Sequence, residues 1–169
     1  MLDELFRSID ELLQNDYGRK VVSYLIAPRD TRFFYKDYNK RLEGGDASEA
    51  SKKEKKIRYE ELLQYSIKYL AEYLNKNLEK CLRNGPVSVL VPLIINKLEN
   101  SGETFSKLAN LLLTSPYAAV DKPKEGEVKK EELNEHLIEN SVSHLALKHV
   151  FINDKEFEAK QLTSKSFFI

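Results

Sequence analysis

The chain has 169 residues, of which 41% are hydrophobic and 32% charged, and its 27 basic residues balance 27 acidic ones. This composition supports a folded core under a charged surface, while the overall charge argues neither for nor against nucleic acid as a partner. The single Cys81 argues against an intramolecular disulfide, and the lack of an apolar run of about 18 residues argues against a membrane helix. The acidic Asp3 and Glu4 argue against a signal peptide. We therefore expect a soluble intracellular protein.

The first part of the chain, residues 1–42, predicts three short helices. Apolar residues recur at steps of three and four over residues 2–13, which is typical of an amphipathic helix. Tyr17-Gly18 predicts a break, and a second helix is expected from residue 19 to about residue 26, where Pro28 ends it.

The third helix is expected to begin at a cap formed by Asp30 or Thr31 and to end near Leu42. Phe34, Tyr38 and Leu42 are spaced four residues apart, so they would share the packed face of this helix.

Residues 43–56 (EGGDASEASKKEKK) contain no large apolar side chain and combine glycine with dense charge, so we expect a flexible surface loop. Helical periodicity resumes over residues 57–82, with a break expected near Ser66. Residues 87–98 are apolar on nearly every side, which predicts a buried helix that is kinked at Pro92 or begins near it.

The second half predicts a helix over 103–113, a loop over 115–130, a short helix over 133–138 and a helix over 142–152. No segment alternates with period two for long enough to form a strand, so the fold class is all-α. The expected domain organisation is 1–42 (helices with a basic face), 43–56 (charged loop), 57–114 (helices), 115–130 (loop), 131–153 (a further repeat) and 154–169 (irregular tail).

Three segments share one form, namely a short amphipathic helix, a tight turn and a more apolar helix. They begin near Leu12, Cys81 and His136. Such recurrence indicates helical repeats, although the unequal distances between the segments require degenerate units or insertions between them.

The run YGRKVVSYLIAPRD, residues 17–30, resembles the YGRKV…YLL.PRD signature of the Puf-A/penguin branch of the Pumilio repeat proteins. The later segments that also resemble this branch are Ser51-Lys-Lys-Glu with Arg58-Tyr-Glu-Glu-Leu-Leu63, Ser88-Val-Leu-Val91 and His144-Leu-Ala-Leu-Lys148. The resemblance runs from residue 2 to about residue 153 and includes the C-terminal penguin-like (CPL) region. It implies part of a Pumilio/armadillo-like helical solenoid. It also implies a nuclear, mostly nucleolar RNA-binding protein that acts in ribosome biogenesis or in translational regulation.

Pumilio repeats bind one RNA base per repeat, with two side chains bonding the base edge and one between them stacking on the base. The positions that match are Arg19, Lys20 and Ser23, then Ser88, Val89 and Pro92, then Ser143, His144 and Leu147, with Lys148 beside the last set. Pro92 and Leu147 cannot make the third polar contact, and Val89 cannot stack as a planar group. Only Ser143 and His144 keep a suitable pair, so the resemblance implies phosphate contacts without sequence-specific recognition.

Local charge points in the same direction. Residues 19–41 contain seven basic and two acidic side chains, a local charge of +5 in a neutral chain. Arg32, Lys36 and Lys40 are spaced four residues apart and would lie on one face of the third helix. Phe33, Tyr35 and Tyr38 interleave with them, which suits backbone contacts combined with base stacking. A solvated helix face over ordinary core aromatics explains the same pattern, and the resemblance favours nucleic acid.

No catalytic motif, glycine-rich phosphate loop or metal-ligand spacing stands out, so we expect no enzyme activity, metal or cofactor. The expected partners are ribosomal or messenger RNA, with DNA as a further ligand, and pre-ribosomal proteins, without a membrane. The alternative hypothesis is a helical-repeat protein–protein scaffold in a pre-ribosomal complex that makes no direct RNA contact, since helical solenoids serve both roles.

Overall fold

The computed structural model describes residues 2–46, 53–115 and 135–152, and within these ranges the regular secondary structure is entirely helical. The helices are, in chain order, α1 (Leu2–Arg7), α2 (Ile9–Gln14), α3 (Asp16–Ile26), α4 (Lys36–Asp46), α5 (Lys55–Arg83), α6 (Gly85–Ser88), α7 (Leu90–Lys97), α8 (Gly102–Thr114) and α9 (Ser141–Ile152). The chain divides into two compact units, Met1–Tyr73 and Leu74–Ile169, and α5 contributes residues to both. In the described ranges, no helix combines the length and the hydropathy needed to cross a bilayer.

The first unit begins with two helices where the sequence predicted one. The backbone of Ser8 (φ −104°, ψ 33°) separates α1 from α2. Asn15 then caps α3, because its side-chain oxygen accepts hydrogen bonds from the amides of Tyr17 at 2.9 Å and Gly18 at 3.1 Å. The break expected at Tyr17-Gly18 is therefore wrong, since both residues lie in the first turn of α3.

Gly18 is needed for packing between α2 and α3. A Cβ atom at this position would lie 2.4 Å from the carbonyl oxygen of Leu12 and 2.8 Å from its Cα. Only glycine allows the two backbones to approach this closely.

A turn after α3 displaces the start of the next helix. The Asp30 amide donates to the carbonyl of Ala27 at 3.3 Å, and Arg29 has a φ of 65°, in the left-handed region that turns of this kind favour. The Asp30 carbonyl then accepts from the amides of Phe33 and Phe34, both at 3.0 Å.

As a consequence, α4 begins at Lys36, and the helix start predicted at Asp30 or Thr31 is wrong. Phe34 precedes the helix and is buried, whereas Tyr38 within the helix is about half exposed, so the predicted packed face is also incorrect. Residues 43–46 of the predicted loop continue α4, and residues 47–52 lie outside the described ranges.

Helix α5 begins near the predicted residue and runs through Ser66 without a break, so the interruption expected there is wrong. Ser66 is fully buried, and the non-helical backbone lies instead at Asn77 (φ −127°, ψ 27°). In the first unit, the ring of Phe6 in α1 stacks on Tyr69 of α5 with centroids 5.1 Å apart. The core side chains of this unit are Phe6, Ile9, Leu13, Val22, Ile26, Phe34, Ile67 and Leu70.

In the second unit, the apolar segment 87–98 forms two helices. Asn84 caps α6, with its side chain accepting from the Val87 amide at 3.3 Å. The next helix, α7, begins at Leu90, two residues before Pro92, which confirms the predicted start near this proline. Helices α8 and α9 confirm the helices predicted over 103–113 and 142–152.

A turn between α8 and α9 replaces the described part of the helix predicted over 133–138. His136 is fully buried in this turn: its Nδ1 accepts from the Ile138 amide at 3.1 Å, and its Nε2 donates to the Leu112 carbonyl at 3.0 Å. Arg83 donates to the Glu135 carbonyl at 2.9 Å. Residues 133–134, most of the predicted loop 115–130 and the tail 154–169 lie outside the described ranges.

Candidate nucleic-acid interface

The basic segment 19–41 is less charged at its surface than its sequence suggests. Three of its seven cations form ion pairs, which are Arg19 with Asp16, Arg29 with Glu43 at 3.6 Å, and Arg32 with Asp30 at 2.5 Å. These three guanidinium groups are therefore partly neutralised by carboxylates of the chain itself.

Arg19 joins two helices. Its side chain is only 17% exposed, and its Nη1 donates to the carbonyls of Leu13 at 2.8 Å and Gln14 at 2.9 Å. These carbonyls lie at the C-terminal end of α2, where a helix leaves its last acceptors without partners. Ser23, four residues later, is buried and donates to the Arg19 carbonyl at 2.7 Å. Arg19 and Ser23, two of the predicted nucleic-acid contacts, thus form hydrogen bonds within the first unit.

Arg32 lies in the turn before α4, so the predicted stripe of Arg32, Lys36 and Lys40 on one helix face is wrong. Its Nε lies 3.0 Å from both carboxylate oxygens of Asp30, and the hydrogen bond from Arg32 holds the pKa of Asp30 below its ordinary value. Lys36 and Lys40 remain one turn apart on α4, and both are exposed.

Four cations of the segment form no ion pair with any described residue: Lys20, Lys36, Lys40 and Arg41. Lys20 belongs to α3, and its Nζ lies 5.7 Å from the ring centroid of Tyr17 in the same helix and 5.1 Å from that of Tyr38 in α4. Tyr17 and Tyr35 are each 77% exposed. We call these four cations and the tyrosines Tyr17, Tyr35 and Tyr38 the α3–α4 surface.

An apolar cavity of about 340 Å³ opens between α3 and α4, with Lys20 and Arg41 among its lining residues. Tyr24 contributes to its wall and packs edge-to-face on Phe34, with centroids 5.9 Å apart. The Tyr24 hydroxyl lies 2.6 Å from that of Tyr59, and burial, followed by this hydrogen bond, raises the pKa of Tyr59.

The predicted base-contact positions of the second unit are mostly turned inward. Ser143 is fully buried and donates to the Leu137 carbonyl at 2.7 Å, whereas its predicted partner His144 is exposed. Lys148 is exposed one turn after His144, on the same face of α9. The other inward residues are Ser88, Pro92 and Leu147, while Val89 is 47% exposed. These predicted positions therefore present no exposed polar pair of the kind that binds a base edge.

Arg41 is the residue that sequence reasoning missed. It contributes to the local charge of residues 19–41 but lies outside the predicted stripe of Arg32, Lys36 and Lys40. Its spacing of three from Tyr38 was the available signal, since residues three apart are neighbours on a helix. Among the described residues, no group of histidine, cysteine and acidic side chains could hold a metal ion.

Comparison with known proteins identifies similar chains. Residues 14–162 match the CPL (NUC119) domain family. The chain is 28% identical to human Pumilio homolog 3 over 159 residues, which is 94% of this chain and 23% of that protein. It is 30% identical to the Drosophila melanogaster protein penguin over 110 residues, covering 65% of this chain and 14% of that one.

Solved structures agree with the sequence relatives. The chain matches the crystal structure of human Puf-A with a TM-score of 0.80 and 26% identity, covering 98% of this chain and 31% of that one. It also matches human Puf-A in complex with DNA, with a TM-score of 0.80 and 25% identity over 98% of this chain and 30% of that one. These matches confirm the predicted all-α, helical-repeat fold class, and this chain spans less than a third of the proteins that it matches.

Proposed function

Because this chain belongs to the CPL (NUC119) domain family, within the Puf-A/penguin branch of the Pumilio-like proteins, we propose that it binds nucleic acid. RNA is the proposed principal ligand and DNA a second one, since one similar structure is human Puf-A in complex with DNA. The observation that carries the proposal is the α3–α4 surface, where cations without ion pairs in the described chain alternate with exposed tyrosines.

The proposed mode of binding is contact with phosphates, without selection of sequence. Lysine presents a charged group on a flexible stem, which suits phosphate oxygens but fixes little base geometry. Tyr17 and Tyr35 expose rings on which any base can stack. The internal hydrogen bonds of Ser23 and Ser143 support this mode, because they occupy two of the groups that could otherwise read a base edge.

The proposed cellular role is ribosome biogenesis or translational regulation, in the nucleus and nucleolus, with pre-ribosomal proteins as further partners. This role rests on the resemblance of residues 17–30 and the later segments to the Puf-A/penguin branch. We also propose that the chain acts by binding rather than as an enzyme.

The test is the salt dependence of binding to a single-stranded RNA of mixed sequence. Each phosphate contact to a single strand contributes about 0.7 to the slope of log K against log salt, so replacing two contacting lysines should reduce the slope by about 1.4. The variant Lys36→Gln with Lys40→Gln removes two exposed cations of the α3–α4 surface. The matched control, Lys68→Gln with Lys97→Gln, removes two exposed lysines that lie elsewhere.

We expect the parent to bind RNA with a steep salt dependence, the first variant to bind more weakly with a shallower slope, and the control to match the parent. Equal binding by the two double variants would contradict the proposed surface. A parent protein that does not bind RNA at low salt would favour the scaffold hypothesis instead.

A further inference from the structure

The apolar cavity between α3 and α4 is not explained by phosphate binding. Aliphatic and aromatic side chains line it, including those of Val21, Leu25 and Leu42, and the cations Lys20 and Arg41 also belong to the lining. Val21 is 45% exposed although it belongs to this apolar lining. The cavity volume of about 340 Å³ falls within the range of sites that accept small ligands.

We propose that this cavity binds one bulky apolar side chain of an acidic peptide segment in a partner protein, with the carboxylates of that segment pairing with Lys20 and Arg41. This goes beyond the proposed function, because the occupant is a protein. The two ligands would share Lys20 and Arg41, so they would compete for the α3–α4 surface.

The chemistry of the cavity wall favours an apolar side chain over a nucleobase. A base carries nitrogen and oxygen atoms around its edge, and such atoms are costly to bury without hydrogen-bond partners. The hydroxyl of Tyr24 is already paired with that of Tyr59, and apart from Tyr38 and the two cations the other lining residues offer only carbon atoms from their side chains. A leucine or phenylalanine side chain requires no polar partner, so its burial against this wall leaves no hydrogen-bonding group unsatisfied.

The charge around the opening favours an acidic segment. The residues that line the cavity include two cations and no acidic side chain. Neither Lys20 nor Arg41 forms an ion pair within the part of the chain that the structure describes. Carboxylates placed on either side of the apolar anchor would complement both groups, which favours acidic over basic partners.

The test uses a short fluorescent peptide of glutamate and serine with one central phenylalanine, and its binding to the full chain is followed by anisotropy. One control peptide carries serine in place of the phenylalanine, and a second carries glutamine in place of every glutamate. We expect each control to bind at least about tenfold more weakly, and an excess of single-stranded RNA to displace the parent peptide.

A substitution in the cavity distinguishes peptide binding from RNA binding. Val21→Asn places a polar group in the cavity lining and should weaken binding of the phenylalanine peptide by about tenfold while leaving RNA affinity unchanged. Val89→Asn is the matched control, because Val89 is 47% exposed and lies in the second unit.

Two results would overturn the proposal. Equal binding of the phenylalanine and serine peptides would show that charge alone attracts them, and this comparison needs only the parent protein, whether or not Val21→Asn folds. A Val21→Asn variant that keeps the circular dichroism of the parent but loses RNA affinity as strongly as peptide affinity would place a base in the cavity. A parent that binds the peptide but no RNA would contradict the proposed function and leave this inference standing.

Discussion

Replacing Gly18 by alanine should destabilise the first unit, because the added methyl group would meet main-chain atoms. The new Cβ would lie 2.4 Å from the Leu12 carbonyl oxygen, about 1 Å inside ordinary contact distance. Overpacking of this kind costs about 1–3 kcal/mol, and the upper end applies because a backbone cannot rotate away as a side chain can. Alanine is favoured over glycine in a helix by about 1 kcal/mol, which leaves a net loss of about 2 kcal/mol.

Thermal unfolding followed by circular dichroism measures this loss, which corresponds to a melting temperature lower by about 4–8 °C. Gly85→Ala is the matched control, because a Cβ there would meet only Val142 Cγ2 at 3.9 Å, an ordinary contact. That variant should match the parent or gain up to about 1 kcal/mol. A Gly18→Ala protein as stable as Gly85→Ala would refute the close approach of α2 and α3.

Three further predictions concern hydrogen bonds. Arg19→Met should lower the free energy of unfolding by about 1–3 kcal/mol in chemical denaturation, because it removes two hydrogen bonds to the carbonyls that end α2. The same substitution should leave the salt dependence of RNA binding unchanged. Ser143→Ala should cost about 1–3 kcal/mol in the same assay, because a buried carbonyl loses its donor, and an accompanying loss of RNA affinity would contradict the internal role of this serine. Hydrogen bonds to the Asp3 carboxylate, from Tyr65 as the larger cause and from Tyr69 as the next, hold the pKa of Asp3 below its ordinary value. The ionised carboxylate therefore adds to the free energy of unfolding above about pH 4, and this contribution is lost as the pH falls through the folded-state pKa. Melting curves of Asp3→Asn should therefore lie below those of the parent near pH 7 and converge with them in acid, and a constant difference at every pH would disprove this assignment.

The sequence was sufficient for the helical class and for the helices whose apolar residues keep a clear period. Residues 103–113 are such a case, and α8 extends over Gly102–Thr114. The start of α4 was not predictable in the same way, because Asp30 is as good a residue for a turn as for a helix cap. In the structure a turn forms there, stabilised by main-chain hydrogen bonds. It also requires the left-handed backbone conformation of Arg29, which an arginine in the sequence does not indicate.

The candidate site was predictable in its charge but not in its geometry. A count of basic residues cannot show that Arg19 and Arg32 are paired with nearby carboxylates, because the chain path decides those contacts. The orientation of α9 was ambiguous for another reason. Its apolar residues surround the whole helix, so the pattern could not tell that Ser143 faces the core while His144 faces solvent.

The most direct test of the central claim is a map of backbone amide chemical shifts during titration with a single-stranded RNA at low salt. Contact at the α3–α4 surface predicts that the largest shifts occur at Lys20, Lys36, Lys40 and Arg41 and that they disappear as salt is raised. Shifts confined to residues 74–152, or no shifts at any RNA concentration, would contradict the assignment of nucleic-acid binding to this surface.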